Sequence, residues 1–252
     1  MAEFLTNHQG PKRAWLGQWD HKRGGERTPD GRLELGRESW FDEVFSFLDQ
    51  HVRGVPPTAQ YPALAVEDST GAWRAEQNWP RADRTTTVQL GGGSYVDDGA
   101  ASSYVQRSRP VERPTRLTGT PHIAVTAQGS GNLMVRLHDV APDGKGVIIN
   151  QQVSALEQGD TALQLKSMDW TLPAGHALAA EIGTIQPGIP ITNDWLPTTS
   201  GQQVTVQGAR LELDLDDPAR DVATPGTPAP WAQLYRLSQA SAPVGPPTFA
   251  LP

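Results

Sequence analysis

The chain has 252 residues, enough to bury a sizeable core in one large domain or two small ones. Its 21 basic against 28 acidic residues leave a net charge of -7, which argues against a nucleic-acid partner, because neutralising phosphates takes a basic face. Cysteine is absent, which removes disulfides and thiolate metal sites; no apolar run reaches spanning length, and residues 1–10 lack the charged start and apolar stretch of a secretory signal, so a soluble chain with no membrane partner is expected.

Residues 13–19, "RAWLGQW", have the bulk of a strand without alternation, which predicts a short strand buried on both faces, as in a parallel sheet. A polar, glycine-rich loop follows. In "GRESWFDEVFSFLDQHVRG" the residues Phe41, Val44, Phe45, Leu48 and Val52 recur at steps of three and four and give a helix one apolar face, with Gly54 placed to end it. The stiff "VPPT" that comes next cannot continue a helix and marks a domain boundary near residue 55.

From Tyr61 the texture becomes β. "ALAVED", "TTVQLGG", "RLTGTPHIAVTAQ", "NLMVRLHDVAPDGKGVIINQQVSAL", "HALAAEIGTI" and "QQVTVQGARLELDLDD" are apolar or alternating runs, separated by the turn sequences "GSGN", "PDGKG" and "PAGH". Many short strands at this spacing predict a mainly β fold over residues 56–216, a jelly-roll sandwich. Leu211, Leu213 and Leu215 alternate with Glu212, Asp214 and Asp216, so one face of that strand should be packed and the other wet. Residues 217–252 carry eight prolines and little periodicity; this tail should lie over the surface or be partly disordered, with Trp231, Leu234, Tyr235 and Leu237 available to pin it.

His21 stands directly after the first strand, ahead of a loop and a helix. A general base serving a serine hydroxyl needs such a place, at the carboxyl edge of a sheet, but a lone histidine after a strand is more often a surface or structural residue, and the residues alone favour that second reading. Asp20 is a poor partner for it, since adjacent side chains in extended backbone point to opposite faces.

In chain order, "GPKRAWLGQWDH", "WFDEVFSFLDQHVRG", "GAWRAEQNWP", "TRLTGTPHIAVTAQGSGNLMVRLHDVAPDG" and "LPAGHALAAEIGTI" resemble the carboxyl-terminal part of the X-Pro dipeptidyl-peptidase and cocaine esterase family of serine hydrolases. The resemblance runs over residues 10–216. It implies that residues 1–55 are the last strand and helix of an α/β-hydrolase domain, followed by a galactose-binding-like jelly roll. It also implies that the family's G-x-W-x-H segment is Gly17, Trp19 and His21, with His21 the catalytic general base, and that no cofactor takes part. The nucleophile elbow G-x-S-x-G, upstream in that family, occurs nowhere in this sequence. The chain alone is therefore expected not to turn over X-Pro peptides or acyl esters, and its implied partners are the upstream hydrolase portion and, through the complete enzyme, a peptide or ester substrate. A homo-oligomer is also possible on this reading.

Other constellations point to structure rather than chemistry. Asp139 and Asp143 in "HDVAPDGKG" lack the spacing of a calcium loop, and a hairpin turn explains them. His122, His138 and His176 fall on separate strands with no metal-ligand spacing. Trp73, Trp79, Trp170 and Trp195 either fill cores or form a sugar platform, the latter belonging to an alternative in which the chain is a non-catalytic binding module for carbohydrate or protein. In a third reading the chain completes a larger enzyme by docking, and Phe41, Phe45 and Leu48 are its sticky patch.

Overall fold

The computed structural model describes residues 2–18, 25, 27–156, 159–185, 198–242 and 245–252. Its contacts form two compact units that divide at 81/82 rather than at 55/56: one holds residues 1–81, 169–171 and 217–238, the other residues 82–168, 172–216 and 239–252.

The first unit opens with helix α1 (Ala2–Asn7), strand β1 (Ala14–Leu16), helix α2 (Trp40–Val52) and strands β2 (Leu64–Glu67) and β3 (Trp73–Glu76). The sheet order is β1-β2-β3, with β1 parallel and β3 antiparallel to β2. The strand covered on both faces is β2: Leu64 and Val66 pack with Leu5 and Trp79, and Ala65 packs with Trp15, Leu35 and Trp73. That explains why "ALAVED" shows no alternation. β1 is shorter than residues 13–19, and only Trp15 of its three residues is fully buried.

Helix α2 follows the expected period. Asp42 and Glu43 complement the dipole at its start, and the chain leaves through a left-handed Gly54 (φ 67°), after which Val55 N–H closes on the Asp49 carbonyl at 2.9 Å. Unit one also receives Asp169 and the helix α3 (Pro230–Leu237). Buried Arg74 grips Asp169 with two parallel bonds, at 2.8 and 2.7 Å, and donates Nε–H to Glu76 at 2.7 Å. α3 lies within the tail, where Tyr235 meets Trp170 edge to face while Leu234 and Leu237 are exposed.

The second unit is a β-sandwich of the expected jelly-roll class. One sheet contains β4 (Arg84–Leu90), β5 (Gly93–Val96), β7 (Thr115–Gln128), β10 (Gly159–Gln164) and β13 (Gln203–Asp216), in the order β10-β7-β13-β4 with β5 also on β13. The other contains β6 (Ser103–Ser108), β8 (Asn132–Val140), β9 (Lys145–Ala155) and β12 (Ala177–Gly183), antiparallel in the order β9-β8-β12-β6; strand β11 (Met168–Leu172) is shared in sequence between the units. Leu211, Leu213 and Leu215 are buried and Glu212 is exposed, but Asp216 departs from the wet face. It is buried against Arg116 Nη1 at 2.7 Å, with both side chains at zero exposure.

The tail is more ordered than its composition suggests. Strand β14 (Ala240–Ser241) pairs with the outer edge of β9, and β15 (Pro247–Phe249) runs parallel on the outer edge of β6. Both open margins of one sheet are thus occupied by the same short segment. No described helix is long and apolar enough to cross a membrane.

Candidate functional site

Gly17 and Gln18 are the last described residues before the segment carrying Trp19, Asp20 and His21, which lies outside the described residues. The backbone that launches this segment is held by a buried acid. Gln18 N–H donates to Glu67 Oε2 at 3.0 Å, and its amide Nε2 donates to the Glu67 and Asp169 carbonyls at 3.0 and 3.3 Å. The other carboxylate oxygen of Glu67 accepts Ala229 N–H at 2.7 Å. Glu67 is almost wholly buried. Burial pushes its carboxyl above the ordinary glutamate range, against the downward pull of the two N–H groups, and neighbouring Asp68 adds to the rise. Sequence reasoning did not single out Glu67; an acidic residue closing the apolar run "ALAV" was the available signal.

A second tie joins β1 to α2. Trp15 Nε1–H donates to Glu43 Oε2 at 3.1 Å, and Arg37 Nη2 to Glu43 Oε1 at 2.9 Å. Arg37 also donates to Thr224 Oγ1 at 3.0 Å and to the Pro225 carbonyl, and its guanidinium lies 4.9 Å from the Trp15 ring and 5.6 Å from that of Trp73. Arg13 reaches the Glu43 carbonyl at 3.1 Å and lies over Phe47 and Tyr61. With one carboxylate oxygen on Trp15 and the other on Arg37, Glu43 ties β1 and α2 together. Beside it a cavity of about 100 Å³ opens, walled by Trp15, Trp40, Val44, Phe47 and Leu48, with Arg13 and Glu43 at its polar side.

The remaining candidates take structural places. Asp139 accepts from His176 Nδ1 at 2.7 Å, and Asp143 caps the exposed hairpin turn through Lys145 N–H. His138 Nε2 meets Glu181 Oε2 at 2.9 Å, whereas His122 is exposed. Among the described residues, no group of three or more histidines and carboxylates is placed to hold a metal. Trp73 and Trp79 are buried in the two small cores of the first unit, Trp170 is half-buried, and Trp195 lies outside the described residues.

No family model and no curated protein sequence matches the chain. Solved structures do. An aminopeptidase from a marine sediment archaeon, Thaumarchaeota archaeon, superposes with a TM-score of 0.60 at 15% identity, over 82% of this chain and 49% of that one. A CocE/NonD family hydrolase from Staphylococcus aureus gives 0.59 at 9% identity over 71% of this chain and 46% of that one, and an alpha-amino acid ester hydrolase 0.57 at 15% over 81% and 50%. The chain has the fold of about half of such a hydrolase. It spans half the length or less of these three structures, and at such identities the likeness is one of fold.

Proposed function

We propose that this chain is the carboxyl-terminal part of a serine hydrolase resembling the X-Pro dipeptidyl-peptidases and cocaine esterase, active when joined to an upstream part that carries the serine and aspartate. In that enzyme His21 takes the serine proton as the hydroxyl attacks the scissile carbonyl, then protonates the leaving group as the acyl-enzyme forms. The substrate class is an X-Pro peptide or an acyl ester or amide. The observation that carries this reading is the superposition on three hydrolases over 71–82% of this chain but only 46–50% of theirs. The anchoring of Gln18, just past β1, on Glu67 supports a fixed point in the chain three residues before His21. The binding-module alternative is weakened by the burial of Trp73 and Trp79, which removes two of its four platform residues.

The test is an assay of the purified chain with an X-Pro chromogenic dipeptide and a simple acyl ester, alone and with the polypeptide encoded immediately upstream. Activity only in the mixture, lost in His21→Ala, is the expected result. Turnover by the chain alone, or activity in the mixture unchanged by His21→Ala, would overturn the assignment.

A further inference from the structure

Helix α2 is turned the wrong way round for a chain complete in itself. Its fully buried side chain is Glu43, whereas Phe41, Phe45 and Val52 are 54%, 61% and 76% exposed and Leu48 is 45% exposed. An amphipathic helix that faces its apolar stripe to water lacks the element that should cover it. The cavity beside Trp15 opens among the same residues, since Val44, Phe47 and Leu48 form part of its wall. Its volume of about 100 Å³ is somewhat less than the roughly 150 Å³ of an apolar void that admits benzene, room for one branched aliphatic side chain.

β1 adds a second, independent feature. It ends the β1-β2-β3 sheet and pairs in parallel with β2, and it has no other strand partner among the described residues. Parallel pairs belong to sheets that continue and are covered on both faces. A second copy related by a two-fold axis would bring two β1 edges together antiparallel, which would break off the parallel run begun by β1 and β2 rather than continue it. The length relation favours a different occupant, because half of each superposed hydrolase has no counterpart in this chain.

We infer that the exposed face of α2, the cavity beside Trp15 and the open edge of β1 form the docking surface for the nucleophile-bearing part of the hydrolase, which seats an apolar side chain in that cavity. This rests on the function proposed above and names the residues through which the two parts join. The occupant is thus an α/β unit presenting a parallel edge strand and an apolar patch.

The experiment measures binding of the full chain to the polypeptide encoded immediately upstream, by titration calorimetry, with the self-association of each variant followed by sedimentation. Phe41→Lys and Phe45→Lys place cations beside Asp42 and Asp49 on exposed positions, so folding should be retained, as circular dichroism will verify. Leu48→Trp fills the cavity, and Gln89→Glu on the wet face of the sandwich serves as control. The expected result is binding weakened at least ten-fold by each of the first three substitutions and unchanged by the control. A wild-type complex insensitive to all three overturns the docking surface and leaves the proposed function standing; absence of any wild-type complex overturns both. A wild-type dimer dissolved by Phe45→Lys assigns the face to a second copy and overturns the inference.

Discussion

Trp15 and Glu43 are 28 residues apart in sequence, yet the indole N–H of one donates to the carboxylate of the other at 3.1 Å inside the first unit. The same carboxylate neutralises Arg37, which is itself buried and sandwiched near two indole rings. Removing one member of a buried ion pair leaves the other charge without compensation, a cost of about 3–5 kcal/mol, whereas the pair as a whole contributes far less. Glu43→Ala should therefore destabilise the first unit by about 3 kcal/mol or more in urea unfolding followed by tryptophan fluorescence. Glu43→Gln keeps an acceptor for Trp15 and should cost less. Equal, small effects of both would show that Arg37 finds its compensation elsewhere.

Glu67 gives a pH signature. Burial raises its folded-state pKa above the unfolded value, so the native state holds a proton where the unfolded chain has released it. The associated stability is fully present below about pH 4.3, the ordinary glutamate value, and is lost as pH rises through the raised one. Glu67→Gln cannot titrate, and its amide leaves one of the two N–H donors facing another donor, a cost of about 1–3 kcal/mol. That cost should be larger at pH 4 than at pH 7 when urea midpoints are compared. The reverse trend would contradict a raised pKa.

Asp97 should behave in the opposite sense. Its carboxylate has no exposure; burial pushes its pKa up, but hydrogen bonds from Ser200 N–H, the Thr184 hydroxyl and Asn132 outweigh that and hold it below the ordinary aspartate value. Stability from this group is present above about pH 3.9 and disappears as pH falls through the lowered folded value. Asp97→Asn should cost about 1–3 kcal/mol at neutral pH, and progressively less in acid. A cost that does not change between pH 7 and pH 3 would remove Asp97 from the acid-unfolding balance.

The elements legible in the sequence are those with a strong period or firm punctuation. α2 followed from Phe41, Val44, Phe45, Leu48 and Val52 with Gly54 behind them, and β13 from the alternation of Leu211, Leu213 and Leu215. Strands such as β6 (Ser103–Ser108) and β10 (Gly159–Gln164) escaped because their residues are polar and their burial comes from neighbours distant in sequence. The unit boundary escaped for a related reason: "VPPT" reads as a break, yet Leu64 and Ala65 of β2 pack with Leu5 and Trp15 from before it. Asp216 continues a wet alternation, and only the fold brings Arg116 within 2.7 Å of it. Of the candidate site, His21 lies outside the described residues, and Glu67 could not be read from sequence because its role depends on backbone N–H groups 49 and 162 residues away.

The occupied margins of the second sheet lead to the last prediction. β9 and β6 end their sheet, and unpaired strand edges recruit other chains unless something covers them. Here residues 240–241 add to one edge and residues 247–249 to the other, where Arg109 N–H donates to the Phe249 carbonyl at 2.8 Å. Proline at 247 suits such a place, since it can lie in an edge strand but not in a central one. Deleting residues 246–252 should leave the sandwich folded but uncover β6. The expected outcome is rapid hydrogen exchange at the Arg109 amide, protected in the full chain, together with light scattering at concentrations where the full chain stays clear. Unchanged protection of Arg109 and an unchanged solubility limit would mean that β15 contributes nothing to guarding that edge.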